Sequence, residues 1–220
     1  MIEPDALIDA YYFRHACKVF DSERKIPEDL FLTILESGRL SPSSFGFEPW
    51  KFLMVQSPEM RQKLLPVTWG AQRSLPTASH YMVILARKTP SMHWNSDYIT
   101  HMMTDVHHLS PEAVEARREK YRKFQEEDFK LLESPRTLFD WSCKQCYIAL
   151  GNMMSTAAML GVDSCAVEGF EMEPMEAIMR EEFGIDTGRF GVAVMVAFGY
   201  RIEPPKEKTR QKIEEIVDWV

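Results

Sequence analysis

Apolar positions recur along the chain in blocks whose period switches between helical and extended. From Asp5 to Phe13 the spacing fits a helix that runs into a basic cluster. Pro27 stands where a second helix begins, Leu30, Ile34 and Leu35 give it one apolar face, and Gly38 is the expected stop. Lys51-Phe52-Leu53-Met54-Val55 reads as a strand. Ser57-Pro58-Glu59 is a helix start, with Ser as N-cap and Pro in the first turn. The unbroken apolar run Tyr81 to Leu85 predicts a buried strand.

Residues 88–140 are more polar. Ser110-Pro111-Glu112 opens a charged stretch that carries Tyr121, Phe124 and Phe129, read as an amphipathic helical excursion near 90–135 and not as a separate domain. Trp141 to Leu160 is the strongest helix; Ala149, Gly151, Ala157 and Ala158 predict burial on most sides and close packing. Pro174 to Phe183 is a short helix ended by Gly184. Phe190 to Phe198 is a buried strand, with Val192, Val194 and Val196 expected on one face. Few strands separated by helices predict α+β or α/β, and the whole chain, 1–220, is expected to form one domain. The tail residues Ile213, Ile216, Val217, Trp219 and Val220 are too apolar for a free end and are expected to pack on something, such as a second subunit.

Hydrophobic residues make up 45% of the chain, enough for a sizeable core. The net charge of -7 argues against nucleic acid or an anionic membrane surface as the partner, because both demand excess Lys and Arg. No run reaches the ~18 apolar residues of a membrane-spanning helix. The acidic start Met1-Ile2-Glu3-Pro4-Asp5 lacks the basic character of a signal peptide, so a cytoplasmic location is expected, with the four cysteines as thiols.

Two basic clusters stand near opposite ends, Arg14-His15-Ala16-Cys17-Lys18 and Lys206-Glu207-Lys208-Thr209-Arg210. Like charges four apart on a helix repel mildly, and an anion between them reverses that sign. A solvated basic patch accounts for each cluster equally well when taken alone. Ser41-Pro42-Ser43-Ser44 offers hydroxyls and backbone N–H groups, and Gly46 admits close approach to the backbone, although an ordinary helix-to-strand loop has the same composition. Glu168-Gly169 follows the apolar Cys165-Ala166-Val167 and offers either a surface carboxylate or a backbone N–H donor. Cys143-Lys144-Gln145-Cys146 lies within a helical pattern, away from the helix N-terminus that would activate a thiol, so neither redox nor metal chemistry is expected of it. His101, His107 and His108 lack ligands at zinc spacing, and the 14 methionines read as core filler. The chain has no G-x-G-x-x-G, Walker A, G-x-S-x-G or H-E-x-x-H.

Taken in order, these segments resemble the nitroreductase family of FMN-dependent, oxygen-insensitive NAD(P)H oxidoreductases, and the likeness runs end to end. Its specific pieces are Arg14-His15-x-x-Lys18, the Ser-Pro-Ser-Ser turn reaching Pro49-Trp50, and Ala78-Ser79-His80 before a strand. They continue with Trp141-x-x-Lys144-Gln145-x-Tyr147 and Gly151-Asn152, then Glu168-Gly169-Phe170 and Lys208-Thr209-Arg210. The resemblance implies an α+β sandwich with a small, mostly antiparallel sheet, and an intertwined homodimer with FMN at the interface. It implies that Arg14, Lys208 and Arg210 hold the flavin phosphate, with His15 and Ala16 beside them, and that Lys18 lies near the flavin N1–O2 edge. Pro42, Ser43 and Ser44 would come from the partner chain, Gln72 would stand for a polar family position, the backbone of Glu168 and Gly169 would face flavin N5, and Gly46 and Val167 would be further cofactor-binding positions. Phe45-Gly46-Phe47 replaces the family's usual Asn, Ala16 a Ser, and Gln72 with Ser74 an Asn and a Lys; either Phe is expected to make the pocket more apolar. The implied activity is ping-pong hydride transfer from NAD(P)H to a nitroaromatic, a quinone or a related small acceptor, with no catalytic side chain and no metal. Alternatives are flavin, enone or dehalogenating reductases of the same superfamily, a flavin-binding protein without turnover, or an anion-binding module.

Overall fold

Four antiparallel strands, in the order β1-β2-β4-β3, form the centre of the computed structural model, which describes residues 3–220. The strands are β1 (Trp50–Met54), β2 (His80–Arg87), β3 (Asp163–Val167) and β4 (Phe190–Gly199). Met1 and Ile2 of the acidic start lie outside the described residues. The fold is α+β, as the resemblance implies, with the two middle strands almost wholly buried.

Three helices start at a Ser-Pro pair, and the same chemistry sets each start. Ser57, Ser110 and Ser134 accept the N–H groups of Met60, Ala113 and Thr137, capping α3 (Pro58–Leu64), α7 (Pro111–Lys123) and α8 (Pro135–Met159). The long helix therefore begins at Pro135 and not at Trp141. α1 (Pro4–Phe13) and α9 (Met172–Glu181) fall where apolar spacing puts them, and Gly184 takes a left-handed φ of 63° just after α9. α2 (Glu28–Arg39) runs through Gly38, which does not stop it. A Cβ there would meet the Met153 sulfur at 2.6 Å, so this glycine marks the close crossing of α2 on α8.

One sheet face packs Tyr81, Val83, Leu85, Met195 and Ala197 against α3 and α9. The other packs Met82, Ile84, Val194, Val196 and Phe198 against α2 and α8. Val192 does not share the face of Val194 and Val196. A bulge sets Ile84 opposite Val194 but Leu85 opposite Val192, leaving Ala193 extra, and Val192 turns to the α3/α9 side. The polar excursion has its own cluster, in which Phe47, Met92, Met103 and Tyr121 surround Leu138 and Trp141 of α8. After the short helices α4 (Ser74–Thr77) and α5 (Thr89–Met92), π-helical turns at Met102–Val106 and Phe124–Asp128 end α6 (Asp97–His101) and α7.

Gly151 of α8 faces open space, unlike its buried neighbours Ala149, Ala157 and Ala158. The tail is uncovered within one chain: Trp219 is 95% exposed, Ile213 66% and Ile216 63%. No helix among the described residues is long and apolar enough to cross a membrane.

Candidate functional site

The two basic clusters, almost 200 positions apart, meet beside the β3 edge of the sheet. The segment after α1 is pinned there by a bridge between Ala16 and Ser164, with the Cys17 N–H donating to the Ser164 carbonyl at 3.3 Å. The segment after β4 is pinned by a second bridge, Phe20 to Arg201. Two adjoining cavities result, of about 490 and 660 Å³. His15, Ala16, Lys208 and Arg210 line both; Lys18 lines the first and Arg14 the second.

A buried ion pair anchors the floor. The Asp163 carboxylate, 3% exposed, meets the Arg201 guanidinium at 2.5 Å and accepts the Arg201 backbone N–H at 2.9 Å. Arg201 also donates to the Phe13 carbonyl at 3.0 Å and lies 4.0 Å over the Phe13 ring, which ties the end of β4 to the end of α1. The His15 Nδ1 lies 3.6 Å from Asp163, too far for a hydrogen bond, and has no hydrogen-bond partner among the described residues. Burial, then the Arg201 charge, pushes its pKa down.

The remaining cations have no carboxylate partner among the described residues. Arg14 donates only to the neutral Ser155 hydroxyl at 3.1 Å, and Lys18 only to the Cys165 sulfur at 3.3 Å. Burial and the neighbouring cations Arg210, Arg14 and Arg201 push the Lys208 ammonium below its usual range. Glu203 and Glu207 line the first cavity without forming an ion pair with these cations among the described residues, so an anion placed between the cations would meet charges that no carboxylate contacts directly. Asp163 and Arg201 were missed in the sequence reading; the signal was an acidic residue opening an apolar run and an arginine closing another.

The other expected site residues lie elsewhere on the chain. Pro42, Ser43, Ser44 and Gly46 do not line the basic cavities of their own chain. The Ser44 N–H donates to Gln145 Oε1 at 2.9 Å, and Ser43 Oγ accepts the Glu48 N–H at 2.9 Å. The Gln72 amide turns back onto the Leu65 and Thr68 carbonyls, while its neighbour Arg73 reaches the first cavity. The Phe47 ring is fully buried and Phe45 packs on Tyr121 and Phe124, so both rings turn into the excursion.

The Val167-Glu168-Gly169 turn is tied to its surroundings at each residue. Val167 is buried in the core, and Tyr147 of α8 donates to the Glu168 carboxylate. The Gly169 carbonyl accepts the Gly70 N–H, whereas the buried Gly169 N–H donates to nothing among the described residues. An unpaired buried N–H is costly, and a ligand acceptor would satisfy it. Cys143 and Cys146 sit inside α8 as free thiols; burial pushes Cys143 up to about 12 and Cys146 well up, so neither is a ready nucleophile. Among the described residues no group of three His, Cys, Asp or Glu could hold a metal ion.

A small antiparallel sheet between helix layers, with a basic basin at its edge, defines an α+β scaffold with a candidate anion site. The chain belongs to the nitroreductase family, a family of oxidoreductase enzymes: the family model matches residues 11–200. It is 52% identical over 214 residues to the Bacillus subtilis protein YfkO, assigned as an NAD(P)H nitroreductase, covering 97% of each chain. Its fold is similar to that of the B. subtilis nitroreductase-type protein YdfN, with a TM-score of 0.79 at 18% identity over 99% of this chain and 100% of that one. It is likewise similar to an Exiguobacterium sibiricum protein solved in complex with FMN, with a TM-score of 0.74 at 21% identity over 100% of this chain and 98% of that one.

Proposed function

We propose that the protein is a homodimeric, FMN-dependent NAD(P)H oxidoreductase that reduces nitroaromatics, quinones or related small acceptors in a ping-pong cycle. The observation that carries this reading is the basin in which Arg14, Lys18, Lys208 and Arg210 converge without an ion pair to any carboxylate among the described residues. Its donor set fits the terminal phosphate of FMN. Arg14 and Arg210 offer planar forks for phosphate oxygens, Lys208 adds a point charge, and His15 and Ala16 complete the wall.

FMN, when bound, supplies the two-electron chemistry that couples NAD(P)H to an acceptor. Lys18 contributes a cation that favours the reduced form, because negative charge accumulates on reduction. The free Gly169 N–H, with Val167 and Glu168 shaping its turn, offers a fixed donor to a heteroaromatic nitrogen. Pro42, Ser43, Ser44 and Gly46 serve the site of a second copy, since they lie outside the basin of their own chain, and Gln72 lies beside Arg73 at the rim. No side chain is needed as nucleophile, and proton delivery falls to water or a bound hydroxyl.

The test is direct. Purified protein should be yellow, release FMN on denaturation, bleach with NADH or NADPH under anaerobic conditions and recover colour with an acceptor. A colourless protein that takes up no FMN would overturn the reading; a yellow protein that neither nucleotide bleaches would reduce it to flavin binding.

A further inference from the structure

The turn at 43–48 adopts a backbone that its own residues disfavour. Phe45 has φ 60°, Gly46 72° and Glu48 43°, so two bulky or charged residues occupy the left-handed region. Within the turn the compensation is limited to the Gly46 N–H to Ser43 carbonyl bond, the Ser43 Oγ bond to the Glu48 N–H and the stacking of Phe45 on Phe47. The reward comes from the excursion. Arg117 donates to the Phe45 carbonyl at 2.8 Å. His107 Nε2 lies 3.0 Å from the Gly46 carbonyl, which can only accept, so this nitrogen carries the proton. The Tyr98 hydroxyl lies 2.8 and 2.9 Å from the Phe47 and Glu48 carbonyls. Four consecutive carbonyls are thus held by three side chains 50 to 72 positions away in sequence.

The clamp is itself braced. The Arg87 guanidinium, at the end of β2, stacks 3.5 Å over the Tyr98 ring, and the Arg87 backbone N–H donates to the Pro49 carbonyl. The Phe45 ring packs on Tyr121 and Phe124, and Gln145 of α8 takes the Ser44 N–H. Sheet, excursion and long helix therefore all grip one short turn, while the Ser43 and Ser44 hydroxyls donate to nothing among the described residues.

We propose that Tyr98, His107 and Arg117 are positioning residues that fix the Ser43-Ser44 turn in its ligand-receiving conformation, making the excursion near 90–135 a part of the flavin site and not an appendage. This rests on the reading that the turn serves the cofactor. It assigns Phe45 the role of an anchor: its ring and carbonyl both face the excursion, so the side chain that replaces the usual Asn holds the turn from behind.

Arg117→Met and Tyr98→Phe test the clamp in the full-length protein, with Arg117→Lys as the conservative control. The first readout is hydrogen exchange by mass spectrometry without added ligand. Peptides spanning 43–48 should exchange about tenfold faster in Arg117→Met, the size expected for one lost charge-assisted bond, with β2 and β4 unchanged. The second is FMN titration, where Kd should rise about tenfold, by the same bond. The third is acceptor kinetics, where KM should rise more than kcat falls. Arg117→Lys should recover most of each. Unchanged exchange at 43–48, exchange that rises uniformly over the chain, or faster local exchange with unaltered FMN Kd would each overturn the clamp. Wild-type protein that takes up no FMN would instead refute the proposed function, and the clamp's role with it.

Discussion

Gly70 and Gly169 touch through their backbones. The Gly70 N–H donates to the Gly169 carbonyl at 2.8 Å, and a Cβ on Gly169 would lie 2.7 Å from the Gly70 Cα. The contact is backbone on backbone, so no side-chain rotation relieves it, and the Trp69 ring closes the other side at 2.9 Å. This crossing fixes the 167–169 turn against the loop that precedes β2. Gly169→Ala should force the two segments apart, costing about 1–3 kcal/mol in overpacking, and weaken cofactor retention. Thermal melts and FMN titration check it; an alanine variant that matches wild type in both would show that the crossing yields freely.

Arg210→Ala should weaken FMN binding with little effect on folding. Arg210 is exposed and, among the described residues, its side chain hydrogen-bonds only to the neighbouring Thr209 carbonyl, so the folded chain does not depend on it. A charge-assisted phosphate bond is worth about 1.5–3 kcal/mol, so Kd should rise about tenfold or more. Arg14→Ala should act alike from the other end of the chain. Unaltered affinity in a fluorescence titration would remove the residue from the phosphate site.

Lys18→Met should lower the flavin midpoint potential and slow reduction by NAD(P)H. Lys18 has no anionic partner among the described residues, so its charge is free to act on a ligand. Loss of about 1.4 kcal/mol of charge stabilisation corresponds to about 30 mV in a two-electron couple. Spectroelectrochemistry reads the shift directly, and an unmoved potential would place Lys18 away from the redox centre.

Stability should fall as pH drops from about 6.5 to about 4. His80 stacks on Phe31 at 3.8 Å, and burial, with the Arg61 and Lys25 charges, pushes its pKa from 6.5 down to about 4. Ser79 Oγ accepts the Ile26 N–H, which directs its own proton to His80 Nδ1 at 3.0 Å and matches a neutral ring. Between those pH values the unfolded chain binds the proton and the folded chain does not. The stabilisation is therefore whole above pH 6.5 and lost by pH 4, about 2 kcal/mol after discounting for partial exposure. Urea titrations at both ends of the window measure it, and His80→Phe should flatten this contribution. A variant with the wild-type slope would assign the pH dependence to other groups.

Truncation before Ile213 should yield a species that loses both its partner and its flavin. The tail leaves Ile213, Ile216 and Trp219 in solvent within one chain, an arrangement that a second subunit would relieve. Because Ser43 and Ser44 are proposed to serve the partner's site, assembly and cofactor retention should be lost together. Light scattering with absorbance detection decides it: a full-length monomer that keeps FMN would end the dimer reading, and a stable yellow dimer after truncation would acquit the tail.

Local signals made most of the elements legible. A Ser hydroxyl reaches an N–H three residues on, and apolar spacing depends only on helix or strand period, so the starts of α3 and α7 and the course of β2 followed from neighbours in sequence. The motif order likewise carried the family, and with it the pairing of the two basic clusters. Tertiary packing decided the rest. The bulge at Ala193, which moves Val192 to the opposite face, arises from the register between β2 and β4 and has no signature in a run of valines. Gly38 reads as a helix stop until α8 is seen crossing it, and Phe45 reads as pocket lining until Tyr121, Phe124 and Arg117 are seen behind it. The Asp163–Arg201 pair and the Gly70–Gly169 crossing depend on distances of 2.5 to 3 Å between segments remote in the chain. Helix and strand preferences act over a few residues, whereas such juxtapositions exist only once the sheet and α8 have brought those segments together.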